Sequence, residues 1–266
     1  MRPQDTRWET ELWLPPLRRL ERVDLRLCCF PYAGGSAVTF AMWPERLLPT
    51  IDVRPLQLPG RGARLREAPL RSVGELAPPI AAALVPLLDR PVAFFGHSMG
   101  ALLAFEVVRL LRRQGESLPV QLYVSGRRAP HIPDDDCPSP DVSDEALAAW
   151  LHALNGTPRD VLENPDLMRV ILPVLRADIA VCRSYDFTPE PPLPVPITVF
   201  AGVDDPETAE GRLDAWREHT SGRTVVRQFP GDHFFLHSAE QSVLTVLRVS
   251  LEDALERSAG RVQAWA

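Results

Sequence analysis

Six short apolar runs alternate with longer stretches of helical periodicity, and this alternation restricts the fold more than any other feature. The runs are Leu25–Phe30, Asp52–Leu56, Val92–Phe95, Gln121–Val124, Ile197–Ala201 and Thr224–Phe229. Several are almost continuously apolar, as strands must be when helices cover both faces of a parallel sheet. The pattern predicts an α/β fold with a mostly parallel central sheet flanked by helices. Between the runs, Ser72–Leu88 carries apolar residues at 73, 76, 80, 84 and 87, and Ser72 with Glu75 forms an S-x-x-E capping box. Pro78 and Pro79 fall inside it and predict a kink or a late start. Leu102–Leu111, Thr208–Trp216 and Glu240–Leu255 are the other predicted helices of the core, and Ser258–Ala266 reads as a frayed tail.

The alternation stops between Pro130 and Pro196, where no strand signal occurs. Ser143–Leu154 reads as a capped helix closed by Asn155-Gly156, and Asn164-Pro165 opens a second helix that Pro173 should bend. The chain therefore reads as a core over residues 1–129 and 197–266, with a helical lid inserted over 130–196.

Charge and composition remove several kinds of chemistry. The net charge is −6, against the basic excess of a nucleic-acid binder. All 29 basic residues are arginine, which excludes a Schiff-base lysine, a P-loop lysine and a lysine base. The uncharged stretch Leu27–Pro44 is broken by Pro31, Gly34 and Gly35, so no membrane span is expected. No secretory h-region is visible at the start, and the expected address is the cytoplasm. Cys28, Cys29, Cys137 and Cys182 show no metal spacing, so no metal and no cofactor are expected.

The chemistry is carried by Gly96-His97-Ser98-Met99-Gly100, a G-x-S-x-G sequence between an apolar strand and an apolar helix. That context is a nucleophile elbow, which exposes a serine hydroxyl above the sheet. Ser98 is the candidate nucleophile. It needs a base, itself oriented by a carboxylate, in the chain order Ser, acid, His. Of the six histidines, His97 lies inside the elbow, His131 and His152 belong to the insertion or its edge, and His219 ends a helix. His233 follows the last strand, where the base belongs, with His237 as the weaker rival. The acid should follow Ile197–Ala201, where Asp204 and Asp205 are both available; Asp205 is favoured because it completes G-x-x-D before a proline. The oxyanion needs two backbone N–H groups. Met99 supplies one, and the loop Phe30–Ser36 supplies the other from Ala33, with Tyr32 as the alternative.

Four segments together resemble the type II thioesterases, stand-alone α/β-hydrolases of polyketide and nonribosomal peptide synthesis. They are F-P-Y-A-G-G-S at 30–36, L-P-G-R-G at 58–62, G-H-S-M-G-A at 96–101 and P-G-D-H-F-F-L at 230–236. L-N-G-T-P-R-D-V-L at 154–162 and L-P-V-L-R-A-D at 172–178 are similar to the family's lid, and the likeness spans roughly residues 24 to 255. The resemblance implies hydrolysis of stalled or aberrant acyl groups from the phosphopantetheine arm of acyl or peptidyl carrier proteins. Carrier proteins would be the partners of a monomer. Trp150, Leu151, Leu154, Leu172 and Leu175 would line an acyl chamber, the alternative being that they only pack the lid helices together. Docking of an acidic carrier would need a local arginine patch, for which Arg61 with Arg64, or Arg127 with Arg128, are candidates. The competing readings are a small-molecule carboxylesterase using the same triad and a non-catalytic module that binds a synthase.

Overall fold

A computed structural model describes residues 7–134, 137–154, 164–208 and 211–263. Its elements in chain order are α1 (Arg7–Trp13), β1 (Leu25–Phe30), β2 (Ile51–Pro55), α2 (Val73–Leu84), β3 (Val92–His97), α3 (Met99–Gln114) and β4 (Gln121–Ser125). Then come α4 (Asp144–Leu154), α5 (Pro165–Arg183), β5 (Ile197–Gly202), β6 (Thr224–Phe229) and α6 (Glu240–Gln263), with short helical turns between several of them.

The six strands form one sheet in the order β2-β1-β3-β4-β5-β6, and every neighbouring pair is parallel. The near-continuous apolar strands are explained by the layers on either side. Cys28, Phe30, Phe94, Val124 and Val199 face one core with α2 and α3, whereas Leu27, Cys29, Phe95, Tyr123 and Phe200 face another with Trp43 and α6. Adjacent cysteines thus point into opposite cores, and both are fully buried. β6 departs from this pattern: it is an edge strand, half-covered, and Arg227 and Gln228 are exposed on it. The strand order reverses between β1 and β3, and such switch points open a crevice at the carboxyl ends of the strands.

Several helices differ from the sequence expectation. The segment 208–216 is not one helix. Short 3-10 turns cover Pro206–Thr208 and Asp214–His219, and Gly211 stands between them with φ +83°. The C-terminal helix continues to Gln263, so Ser258–Gln263 is helical rather than a frayed tail. α1 has no counterpart in the sequence reading. Its Trp13 carbonyl accepts from Gln57 N at 2.7 Å, and the Arg64 guanidinium lies 3.9 Å from the Trp13 ring centroid. α2 starts on its Ser72 cap and runs through Pro78 and Pro79, so the late start that the prolines suggested does not occur. Among the described residues, 130–196 hold α4 and α5 and no strand beyond the isolated bridge of Leu193 with Thr220. The predicted Asn155-Gly156 stop lies outside the described residues.

Candidate active site

Ser98 sits between β3 and α3 with φ 53° and ψ −117°, and among the described residues no other non-glycine has positive φ. Such a conformation costs on the order of 1–3 kcal/mol, and the surroundings hold it in place. Ser98 N donates to Ser125 O at 2.8 Å, while Ser98 O accepts from Ala101 N at 3.0 Å to begin the helix. Both motif glycines are sterically required. A Cβ on Gly96 would lie 2.2 Å from Gly100 O, and one on Gly100 would lie 2.1 Å from Phe30 O.

The loops after β5 and β6 bring an acid to an imidazole. Asp205 Oδ2 lies 2.9 Å from His233 Nδ1, and both residues are buried. Its other oxygen accepts from Glu207 N at 3.0 Å, which fixes the carboxylate plane. Asp204 is exposed and its backbone N–H bonds to Gly231 O. The geometry therefore separates the two aspartates that spacing left open. Gly202 makes the approach of the loops feasible, since a Cβ there would lie 2.4 Å from Asp232 O.

His233 is tied to the elbow through His97, whose ring centroid is 5.2 Å from its own. His97 is fully buried and its Nδ1 lies 2.9 Å from Ser125 Oγ. Burial above all, and then His233 and His237, hold its pKa well below the ordinary imidazole value, so it stays neutral. His237 belongs to a separate short helix, Phe235–Ser238, and not to α6; its Nε2 pairs with Tyr32 Oη at 3.0 Å. His131 and His219 pair with each other at 2.7 Å, and His152 is exposed on α4. The structure thus joins only His233 of the six to a carboxylate at hydrogen-bond distance, among the described residues.

The loop after β1 makes a turn in which Gly35 N donates to Tyr32 O at 2.9 Å. Ala33 borders the cluster formed by Leu147, Leu151, Leu172 and Leu175, and Leu175 Cδ1 lies 3.6 Å from where a Cβ on Gly34 would stand. Trp150 packs against the same cluster. These residues therefore meet beside the loop after β1, while also packing α4 onto α5. The Leu154 side chain lies outside the described residues. Met99 is the first residue of α3, where a helix leaves its N–H unpaired.

The expected arginine patches are overturned. Arg61, Arg64, Arg127 and Arg128 are between 2% and 7% exposed and engaged with carboxylates. Arg127 pairs with Asp134 at 2.7 Å, and Arg128 holds Glu207 through two contacts of 2.8 and 3.0 Å. They brace the loops and offer no docking surface. Asp178 was not singled out from the sequence, although an acid among Val174, Leu175, Ala177 and Ile179 is itself the signal of a buried, partnered charge.

The thioesterase-domain family model matches residues 25–250. The chain belongs to the thioesterase family. It is thus a hydrolase acting on thioesters, built on the α/β-hydrolase fold. RedJ, a solved thioesterase from the prodiginine biosynthetic pathway of Streptomyces coelicolor, is 44% identical with a TM-score of 0.81, covering 85% of this chain and 86% of that one. The type II thioesterase BorB from the borrelidin biosynthetic cluster is 36% identical with a TM-score of 0.79, covering 92% and 98%. Linear gramicidin dehydrogenase LgrE of Brevibacillus parabrevis is 38% identical over 95% of this thioesterase and 97% of its own length. That name denotes redox chemistry, but the family model that matches is a thioesterase domain, and RedJ and BorB are thioesterases. Among the described residues no helix is long and apolar enough to cross a membrane.

Proposed function

We propose that this thioesterase clears stalled or aberrant acyl groups from the phosphopantetheine arm of acyl or peptidyl carrier proteins, using Ser98, His233 and Asp205. The observation that supports it most is the Asp205–His233 pair at 2.9 Å, linked through the His97 ring to the strained elbow. Ser98 Oγ attacks the thioester carbonyl while His233 Nε2 takes its proton. Asp205 holds the Nδ1 proton and stabilises the imidazolium. The N–H groups of Met99 and Ala33 receive the developing oxyanion. The intermediate collapses, the C–S bond breaks, and the thiol leaves with the proton from His233. His233 then deprotonates a water, which attacks the acyl ester on Ser98; the C–Oγ bond breaks, Ser98 Oγ takes the proton back from His233, and the free acid leaves.

A thiolate is a better leaving group than an amine, so the acid step demands little of His233. The core over 1–129 and 197–266 supplies the catalytic groups, and 130–196 acts as the lid. Leu151, Leu172, Leu175 and Trp150 then face the acyl chain when the lid helices part. The protein works as a monomer in the cytoplasm beside its synthase, without a metal or cofactor of its own.

The test is hydrolysis of acetyl or propionyl groups from a loaded acyl carrier protein, with a p-nitrophenyl ester in parallel. Wild type should release the acyl group, and Ser98→Ala should lose at least about 1,000-fold in kcat while keeping its thermal stability. Good turnover of the ester with no deacylation of the carrier would replace this reading with a small-molecule esterase.

A further inference from the structure

Asp178 lies on α5 and is 1% exposed, and the other buried residues of that helix are apolar. Its two oxygens take the Arg61 guanidinium in a fork, Nη1 to Oδ2 at 2.6 Å and Nη2 to Oδ1 at 2.7 Å. Oδ2 also accepts from Gly34 N at 2.7 Å. Arg61, itself buried, reaches Gly35 O with Nη1 at 3.2 Å and Pro59 O with Nε at 3.4 Å. The carboxylate thus holds the Ala33–Gly34 peptide and the guanidinium the Gly35–Ser36 peptide, while the Gly35 N–H between them donates to Tyr32 O at 2.9 Å.

That loop needs such a grip. Gly34 has φ +78° and is followed by a second glycine, so the peptide units here have little intrinsic preference for one orientation. The Ala33 N–H shares its peptide plane with Tyr32 O, so a rotation at Gly34 or Gly35 that broke the Gly35 N to Tyr32 O bond would release that plane. Stability gives no reason for the pair, because burying two charges costs about as much as their attraction returns, and an apolar pair would serve as well. A fork with fixed geometry supplies orientation instead.

We propose that Asp178 is a positioning residue for acyl transfer. With Arg61 as its counter-tether, it fixes the peptides on either side of Gly34–Gly35, so that Gly35 N stays on Tyr32 O and the Ala33 N–H in that same plane faces the oxyanion. This rests on the reading of Ser98 and Ala33 given above. It also divides the insertion. The end of α5 around Asp178 is tied to the catalytic core, whereas Leu167 and Val170 towards its other end are exposed.

The test compares wild type with Asp178→Asn and Arg61→Lys, which keep the volume or the charge but lose the fork. Loss of one oxyanion donor typically costs about 100- to 1,000-fold in kcat, and a donor left in place but misaimed should cost about 10- to 100-fold. Both variants should lose that much kcat on the acyl carrier protein and on a p-nitrophenyl ester, with KM within about threefold. Affinity for an acyl trifluoromethyl ketone, whose adduct on Ser98 bears the oxyanion, should fall by the same factor. Binding of the loaded carrier to the Ser98→Ala and Ser98→Ala/Asp178→Asn proteins should agree within about twofold.

An unchanged kcat, or a loss confined to KM, in whichever variant folds overturns the proposal. So does a ketone affinity that does not follow kcat. Because the ester assay stands apart from the carrier assay, a wild type inactive on the carrier would count against the substrate reading and leave the clamp open to the same measurement.

Discussion

At Asp205 one step along the backbone separates a buried partner of His233 from an exposed aspartate. Asp204 and Asp205 share a loop, a charge and a distance from β5, and only the fold decides between them. The decision follows from the packing of Gly202 against the Asp232 carbonyl, which seats the two loops and turns the second aspartate inward. Asp205→Asn should lower kcat by about 100- to 10,000-fold, because the amide no longer selects the imidazole tautomer with its proton on Nδ1. Asp204→Asn should stay within about threefold of wild type in the same hydrolysis assay. A larger loss from Asp204→Asn would reverse the assignment. The arginines show the opposite limit of a linear reading. Arg61 finds Asp178 and Arg128 finds Glu207 far away along the chain, so residues that resembled a surface patch are buried ties. The elbow at Ser98 was legible because its constraint is local: the two glycines, the strand and the helix all lie within a few residues of it.

At the scale of elements, legibility followed the strength of the local signal. β1 and β6 run over the predicted residues, and the other strands differ by one or two at their ends, because burial on both faces leaves continuous apolar runs. α2 was announced by its cap. Ser72 Oγ accepts from Glu75 N at 3.2 Å, and Glu75 reaches back to Arg71 N at 2.7 Å, one residue before the partner a capping box prescribes. Ser72→Ala should therefore cost about 1 kcal/mol and lower Tm by about 2–4 °C with kcat unchanged, read by thermal unfolding beside the ester assay. An unaltered Tm would show that α2 is held by its apolar face alone. The segment 208–216 misled because its composition suits a helix, whereas its neighbours do not. Asp205 takes the Glu207 N–H, and Gly211 in the left-handed region breaks any continuous turn. α1 was invisible for a related reason. Seven residues carry too little periodicity to read, and what orders them is Trp13 against Gln57 and Arg64.

For the whole molecule, the histidines set the response to acid. His97 is held well below its ordinary pKa by burial, His237 is lowered for the same reason, and His219 is pushed down to about 4 by burial and then by His131. Each binds a proton more readily in the unfolded chain than in the folded one. The unfolded state therefore takes up protons first as pH falls below the ordinary histidine value of about 6.5, and stability falls with it. This contribution is fully present above that value. For His219 it is lost between about 6.5 and its folded value of about 4. The ring of His219 is enclosed by Phe105, Phe187 and Trp216, an apolar setting that solvates an imidazolium poorly. The Tm should drop by about 5–10 °C between pH 7.5 and pH 5, with the steepest part below pH 6.5. His219→Gln should be less stable than wild type at pH 7.5 and should show a smaller drop on acidification, because one of the groups that must stay neutral is gone. Thermal unfolding of both proteins across that range measures the difference. Equal drops in the two would mean that His219 carries none of the acid sensitivity, leaving it to His97 and His237 behind the elbow. In that case acid should abolish hydrolysis at the pH where the fold begins to loosen, since those two rings pack against His233 and Tyr32.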